Sequence, residues 1–358
     1  MSDADLLNLF DYERLAVERL PQLAYDYFAS GAHDELTLRA NREAFERIAL
    51  LPRVLVDVSE RDSSVELFGR RHPLPLVIAP MAFAKMADPA GEAAIARAAG
   101  EAGVAMTLST LATTSIEDVA TAASGALWYQ LYVFRDREVT RSLVERAEAA
   151  GYEALVLTVD APVLGRRERD ARNRFVLPEG LFAENLVSEE QRSLPSGEGS
   201  GLEVFFNSQL DASLTWADVD WLRSITRLPV LVKGVLRADD AKLAVEHSAA
   251  GVIVSNHGGR QLDTAVASID ALPAVAKAVD GRAAVLVDGG VRRGTDILKA
   301  LARGADAVLV GRPLLWGLAV DGEAGAAEVL RILREEFELA MALCGCTSVD
   351  AIDASLLA

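Results

Sequence analysis

The chain is poor in cysteine, histidine and net positive charge, and each shortage excludes a class of function. Its two cysteines, Cys344 and Cys346, stand on either side of a single glycine. They are too close to bridge, and no second Cys pair or histidine accompanies them, so they read as ordinary thiols of a reducing cytoplasm. No HExxH, CxxC or clustered His/Asp set occurs, and no metal site is expected. No Gly-x-Ser-x-Gly elbow offers a nucleophile. The 36 basic residues against 53 acidic ones leave a net charge of −17, which disfavours nucleic acid and anionic membrane as partners. No run approaches the ~20 apolar residues of a membrane span. The first twenty residues alternate acidic and apolar types, without the basic and apolar regions of a secretory signal. The closing residues Ser355-Leu356-Leu357-Ala358 are not a peroxisomal tripeptide. A cytoplasmic protein is expected.

What the chain has in plenty is short apolar, β-branched runs, each followed by a helical stretch. Eight stand out: 75–80 (PLVIAP), 104–109 (VAMTLS), 127–133 (LWYQLYV), 154–160 (ALVLTVD), 229–235 (PVLVKGV), 251–256 (GVIVSN), 284–289 (AVLVDG) and 307–311 (AVLVG). Near-continuous Val/Leu/Ile runs suit parallel strands buried on both faces. Helical patterns follow at 91–99, 137–150, 215–225, 238–247, 269–279 and 295–302, and again at 326–343. Eight βα units in succession predict an α/β fold, a closed (βα)8 TIM barrel. An open doubly wound sheet is the alternative, but no GxGxxG follows an early strand. The expected organisation is a single domain over 1–358. Residues 1–74 form an N-terminal helical extension with at least two helices, and 75–345 form the barrel. A long loop after strand four, 161–214, contains SGEGS at 196–200 and reads as a lid or a disordered segment.

Barrel enzymes build their sites at the C-terminal ends of the strands, and here those ends are polar. They carry Ala79-Pro80-Met81-Ala82, Ser109, Gln130 with Tyr132, Thr158 with Asp160, Lys233, Ser255-Asn256-His257, Asp288-Gly289-Gly290 and Gly311-Arg312. The glycines and arginines of 288–294 (DGGVRRG) and of Gly311-Arg312 suit a phosphate at a helix N-terminus, although the glycines alone would also serve tight turns. Of the four histidines, His33, His72, His247 and His257, only His257 lies at a strand end. A histidine there can act as a general base, with Asp160 to stabilise the imidazolium. Arg260 and Arg167 could clamp a carboxylate, although Arg167 lies in a charged run. A base, cations and a phosphate pocket without a nucleophile suit proton or hydride abstraction assisted by a bound cofactor. A sugar-phosphate aldolase or isomerase using Lys233 as a Schiff-base amine remains open.

The stretch 255–263 (SNHGGRQLD) closely resembles the signature of the FMN-dependent 2-hydroxy-acid oxidases and dehydrogenases. So do 25–32 (YDYFASGA), 130–132, 157–160, 231–234 (LVKG) and 288–294. The resemblance spans essentially the whole chain. It implies FMN over Ala79, Pro80, Met81 and Ala82, contacted by Ser109, Gln130, Thr158 and Ser255. Lys233 would lie near the flavin N1 and O2, offsetting negative charge there. Asp288, Gly289, Gly290, Arg292, Gly311 and Arg312 would hold the ribityl chain and phosphate. Tyr27, Arg167 and Arg260 would bind the substrate carboxylate, Tyr132 its hydroxyl, and His257 with Asp160 would take a proton. The family commonly forms homotetramers.

Glycolate oxidases typically carry Thr and Trp where this chain has Met81 and Leu111, so the wall facing the substrate's side chain is more apolar. That favours L-lactate over glycolate, with overlap expected. No haem domain precedes the first helix, and the long loop has no apolar membrane insert. The expected reaction is therefore oxidation of a small L-2-hydroxy acid to the 2-keto acid, with O2 as acceptor and H2O2 as product. The alternative is a dehydrogenase that passes electrons to a quinone or another carrier.

Overall fold

The computed structural model describes residues 6–186, 193–195 and 200–358; the predicted SGEGS run falls largely outside them. Three helices come first, α1 (Leu9–Arg19), α2 (Gln22–Ala29) and α3 (Leu36–Glu46). A short antiparallel hairpin follows, β1 (Val65–Leu67) and β2 (Arg70–His72). Eight parallel strands then close a barrel: β3 (Leu76–Ile78), β4 (Ala105–Leu108), β5 (Leu127–Leu131), β6 (Ala154–Thr158), β7 (Val230–Val235), β8 (Gly251–Val254), β9 (Ala284–Val287) and β10 (Ala307–Val310). Each pairs with its sequence neighbour, and β10 returns to β3 in the register Val308↔Leu76 to Val310↔Ile78. The barrel expected from the sequence is the one observed.

Alternation along the strands explains why both faces are apolar. One set of side chains, including Val77, Ala105, Trp128, Val156, Leu231, Ile253, Leu286 and Leu309, fills the barrel interior. The intervening set, including Ile78, Leu108, Tyr129, Leu157, Val232, Val254, Val287 and Val310, meets the surrounding helices. The hairpin was not anticipated. Its strands are only three residues each, and the second begins with two arginines, so no alternating run marks it. Its place explains it: Leu67 and Phe68 join the interior cluster, and Phe68 lies edge-on to Trp128 with ring centroids 5.4 Å apart. The hairpin plugs the barrel.

The outer layer consists of α4 (Gly91–Ala102), α5 (Ile116–Ala122), α6 (Arg137–Ala149), α9 (Trp216–Ser224), α10 (Ala238–Glu246), α11 (Ser268–Val279), α12 (Gly294–Ala302) and α13 (Arg312–Cys344). In α6 the Asp136 side chain caps the Glu138 amide, and Val139, Leu143, Val144 and Ala147 form the buried stripe. Helix α13 is longer than the predicted 326–343 because the last barrel helix runs into the C-terminal one. A break at Asp321 and Gly322 divides the two. The long segment after β6 is also more ordered than a bare loop, since it contains α7 (Glu168–Arg172) and α8 (Gly201–Gln209). Among the described residues, no helix is long and apolar enough to cross a membrane.

The turn after β9 is fastened by one buried carboxylate. Asp296 accepts the amides of Arg292 at 2.9 Å and Arg293 at 3.0 Å, and it pairs through both oxygens with Arg42 of α3. The Asp296→Ala change leaves the two amides without this acceptor and removes the buried partner of Arg42. It is expected to destabilise the protein by about 3 kcal/mol, measured by urea unfolding against the parent.

Candidate active site

Carrying the inward alternation two residues beyond the apolar interior, or four beyond Ala105 in β4, places Ala79, Ser109, Gln130, Thr158, Lys233, Ser255, Asp288 and Gly311 in one layer at the C-terminal end of the barrel. Above seven of them opens a cleft of about 1040 Å³, lined also by Tyr27, Pro80, Met81, Ala82, Leu111, Tyr132, Arg167, His257, Gly289, Gly290, Arg260, Arg292 and Arg312. Residues drawn from α2, all eight strand ends and the segment after β6 are thus brought together. Two predicted residues do not line the cleft. Asp160 stands behind His257. Ser255 is fully buried, and its hydroxyl accepts Lys233 Nζ at 2.9 Å and the His257 amide at 3.0 Å. The Ser255 hydroxyl thus braces both Lys233 and the His257 turn.

His257 sits at φ 58, an unusual backbone conformation for a residue with a side chain. Asn256 secures that turn: its side-chain oxygen accepts the Gly259 amide at 3.1 Å, and it exchanges hydrogen bonds with Asn41 of α3. Nδ1 of His257 lies 2.8 Å from Asp160 Oδ1. Burial opposes the charge on Asp160, but His257 and then Lys233 outweigh it and hold the carboxyl below the usual range. An ionised carboxylate only accepts, so Nδ1 carries the proton. Burial also pulls the imidazole below its ordinary value, against the opposing pull of Asp160. The ring is therefore neutral near pH 7, with Nε2 left as an acceptor. The remaining histidines are elsewhere. His33 occupies a turn, His72 is buried in β2, and His247 pairs with Asp220 at 2.8 Å.

Cations crowd the same cleft. Arg260 donates to the carbonyls of Tyr27 at 2.6 Å and Ser30 at 3.0 Å, and its guanidinium lies 5.0 Å from the Tyr27 ring centroid. Arg312 donates to the carbonyls of Phe28 at 2.9 Å and Gly258 at 3.1 Å. Burial, with Arg167 beside it, pushes Arg260 down to about 10. Burial, with Arg260 and Arg292 beside it, pushes Arg312 down to about 9. Burial likewise lowers Arg292, whose nearest carboxylate, on Glu13, is 4.0 Å away. Such a cluster favours anions. Arg293, the other arginine of the motif, faces away and pairs with Glu336 at 2.6 Å.

Lys233 pairs with Asp288 at 3.0 Å. Burial would lower its pKa, but Asp288 and Asp160 outweigh burial and raise it. A Schiff-base lysine must be neutral to attack a carbonyl, so this environment argues against the aldolase alternative. Around the amine, three buried polar atoms have no partner among the described residues: Gln130 Nε2, Thr158 Oγ1 and Asp288 Oδ1. Gln130 Oε1 accepts the Thr110 amide at 3.1 Å and faces Ser109 Oγ at 3.3 Å, which turns its NH2 group the other way. An amide donor, a hydroxyl and an ammonium at one end, with arginines at the other, fit a flat polar ring system carrying a phosphate tail.

Sequence reasoning missed three residues that shape the site. Glu92 is buried, and its carboxylate accepts the Ala84 amide and the amide and hydroxyl of Thr113, each within 3.0 Å, with Thr114 Oγ1 at 2.7 Å. It thereby ties the loop after β3 to the loop after β4. Gln261 Nε2 donates to the carbonyls of Asp160 at 3.0 Å and Val163 at 2.9 Å. Leu202 of α8 joins the cleft wall. A glutamate in a first helical turn and a glutamine beside a glycine pair look like surface residues until the chain is folded. Two phenylalanines of α8 take different places. Phe206 lines the cleft and meets Tyr132 edge-on at 5.3 Å, while Phe205 anchors α8 against Phe134 at 6.4 Å.

Comparison with known proteins agrees with this geometry. Residues 16–358 match the family described as FMN-dependent dehydrogenase. The chain is 56% identical over 356 residues to an L-lactate oxidase from Nostoc sp., covering 98% of each. It is 54% identical to glycolate oxidase 3 of Arabidopsis thaliana, covering 97% of this chain and 95% of that one. Among solved structures, mandelate oxidase with (S)-4-hydroxymandelic acid superposes with a TM-score of 0.94 at 44% identity, covering 99% and 98% of the two chains. The chain belongs to the family of FMN-dependent dehydrogenases and 2-hydroxy-acid oxidases, and it is an enzyme whose cofactor is FMN.

Proposed function

We propose that the enzyme oxidises a small L-2-hydroxy acid, with L-lactate favoured and glycolate also accepted, to the 2-keto acid. The observation that carries this reading is His257, hydrogen-bonded through Nδ1 to Asp160 and facing a cleft ringed by arginines. FMN, when bound, would accept the two electrons, and O2 with two protons would take them up as H2O2. Arg167, Arg260 and the Tyr27 hydroxyl hold the substrate carboxylate, which relieves the crowding of positive charge. Tyr132 hydrogen-bonds the substrate's oxygen. Nε2 of His257 takes the proton, from either the hydroxyl or the α-carbon, and Asp160 stabilises the imidazolium.

For the cofactor, Ala79, Pro80, Met81 and Ala82 form the bed, and Ser109, Gln130, Thr158 and Lys233 meet its polar edge. Asp288, Gly289, Gly290, Gly311, Arg292 and Arg312 hold the ribityl chain and phosphate. Phe206 and Leu202 exclude water from the substrate side, so the segment 161–214 acts as a lid within one functional unit spanning the chain.

L-Lactate is favoured because Met81 and Leu111 both line the cleft and leave an apolar wall for a methyl group. The resemblances do not separate the two substrates, since relatives named for lactate and for glycolate are almost equally similar. We place the enzyme in the cytoplasm as a homotetramer. Two buried free thiols, Cys344 and Cys346, suit a reducing compartment, and the exposed Leu339 and Leu343 of α13 suit a subunit contact.

Anaerobic L-lactate should bleach the flavin absorption band, with rapid recovery on admitting air. A band that persists overturns the lactate reading, and slow recovery in air favours a dehydrogenase. The His257→Gln variant should retain FMN but lose roughly 10²–10⁴-fold in kcat. Because His257 must be neutral to accept a proton and burial lowers its pKa, activity should be lost as pH falls through a midpoint below the ordinary histidine value. A kcat/KM profile against pH checks this. The Leu111→Trp change should reduce the lactate-to-glycolate ratio of kcat/KM by about tenfold, read from steady-state kinetics with both acids.

A further inference from the structure

Strands β7 and β8 keep step from Leu231↔Gly251 to Lys233↔Ile253, and then the pairing slips so that Val235 faces Val254. Gly234 is the extra residue, a bulge. Its φ of +112° lies where residues with side chains rarely go. Space forbids a side chain as well. A Cβ on Gly234 would lie 2.5 Å from Asp160 Cβ, 2.7 Å from its Cγ and 2.9 Å from its amide nitrogen. The bare α-carbon of Gly234 is therefore the surface against which the Asp160 side chain rests.

The carboxylate has few other restraints. Oδ1 meets His257 Nδ1 at 2.8 Å, and Oδ2 is buried without a partner among the described residues. Gln261 holds the main-chain oxygen of Asp160 and does not touch the carboxylate. We propose that Gly234 is a positioning residue: its missing side chain sets the place of Asp160, and through Asp160 the orientation and basicity of His257. Lys233 and Arg167 also act on the imidazole, and both lower its pKa. Only Asp160 opposes them and burial, so a displaced Asp160 would leave the ring less basic and free to turn.

This inference rests on His257 as the proton acceptor, and its test separates the two. Wild-type holoenzyme is compared with Gly234→Ala, Asp160→Gly and the double variant. Gly234→Ala should retain the flavin band, lose roughly a hundredfold in kcat and leave KM for L-lactate little changed. In enzyme labelled with 15N-histidine, the His257 midpoint should move down; the chain has only 4 histidines, and His257→Gln identifies the signal. Thermal unfolding closes the cycle. The alanine should cost much less in the Asp160→Gly background, where the opposing Cβ is gone. A wild-type kcat and His257 titration in Gly234→Ala, or equal destabilisation in both backgrounds, overturns the proposal. If Gly234→Ala alone does not fold, recovery of a folded protein by Asp160→Gly supports it. Failure in both backgrounds overturns it, because the glycine would then serve the backbone alone. Full activity in His257→Gln would remove the proton-acceptor reading, while the titration and the unfolding cycle would still report on Gly234 and Asp160.

Discussion

A closed barrel has a dry interior, so polar groups placed on top of it have no water beneath them. Each must find a partner among its neighbours or in the ligand. Lys233 finds Asp288 and Ser255, and Asp160 finds His257. Gln130 spends its carbonyl on the backbone beside it. Among the atoms left unpaired in the described residues are the Gln130 NH2 group and the Thr158 hydroxyl, which a polar ring system can satisfy. Pairing within the layer fixes protonation as well as position. Asp288 and Asp160 together hold Lys233 charged, whereas burial, Lys233 and Arg167 outweigh Asp160 at His257 and lower its basicity.

The arginines solve a different problem. In a chain with a net charge of −17, an anionic substrate and a phosphate need a local reversal of sign. The barrel strands provide it at their ends, and the N-terminal extension steadies it. The carbonyls of Tyr27, Phe28 and Ser30, at the end of α2, take hydrogen bonds from Arg260 and Arg312. Carbonyls at a helix C-terminus carry partial negative charge and can hold cations without neutralising them. The extension is thus part of the site, and so is the Asn41 side chain that braces the His257 turn.

The barrel was legible because strands buried on both faces leave long apolar runs, and all eight were recognisable from them. The layer above was legible for the same reason, since the inward alternation continues through Ser109, Gln130, Thr158, Lys233 and Asp288. The hairpin was not, because three-residue strands containing Arg70 and Arg71 leave no periodic trace. Glu92 and Gln261 were missed because their work is to join two loops that meet only in three dimensions. The segment after β6 read as loop because its helices are short and separated by Gly-, Ser- and Pro-rich stretches.

The hairpin plug also bears on how the chain reaches this state. Leu67 and Phe68 pack into an interior whose walls include β10, and β10 completes the ring only by pairing with β3, more than two hundred residues earlier. Until that last strand is made, the plug has no closed vessel to fill, and the edges of β3 and β9 stand open. Such distant contacts close late and slowly. During synthesis the partly built sheet is therefore exposed to pairing with other chains, and the interval ends only when residues 307–310 emerge.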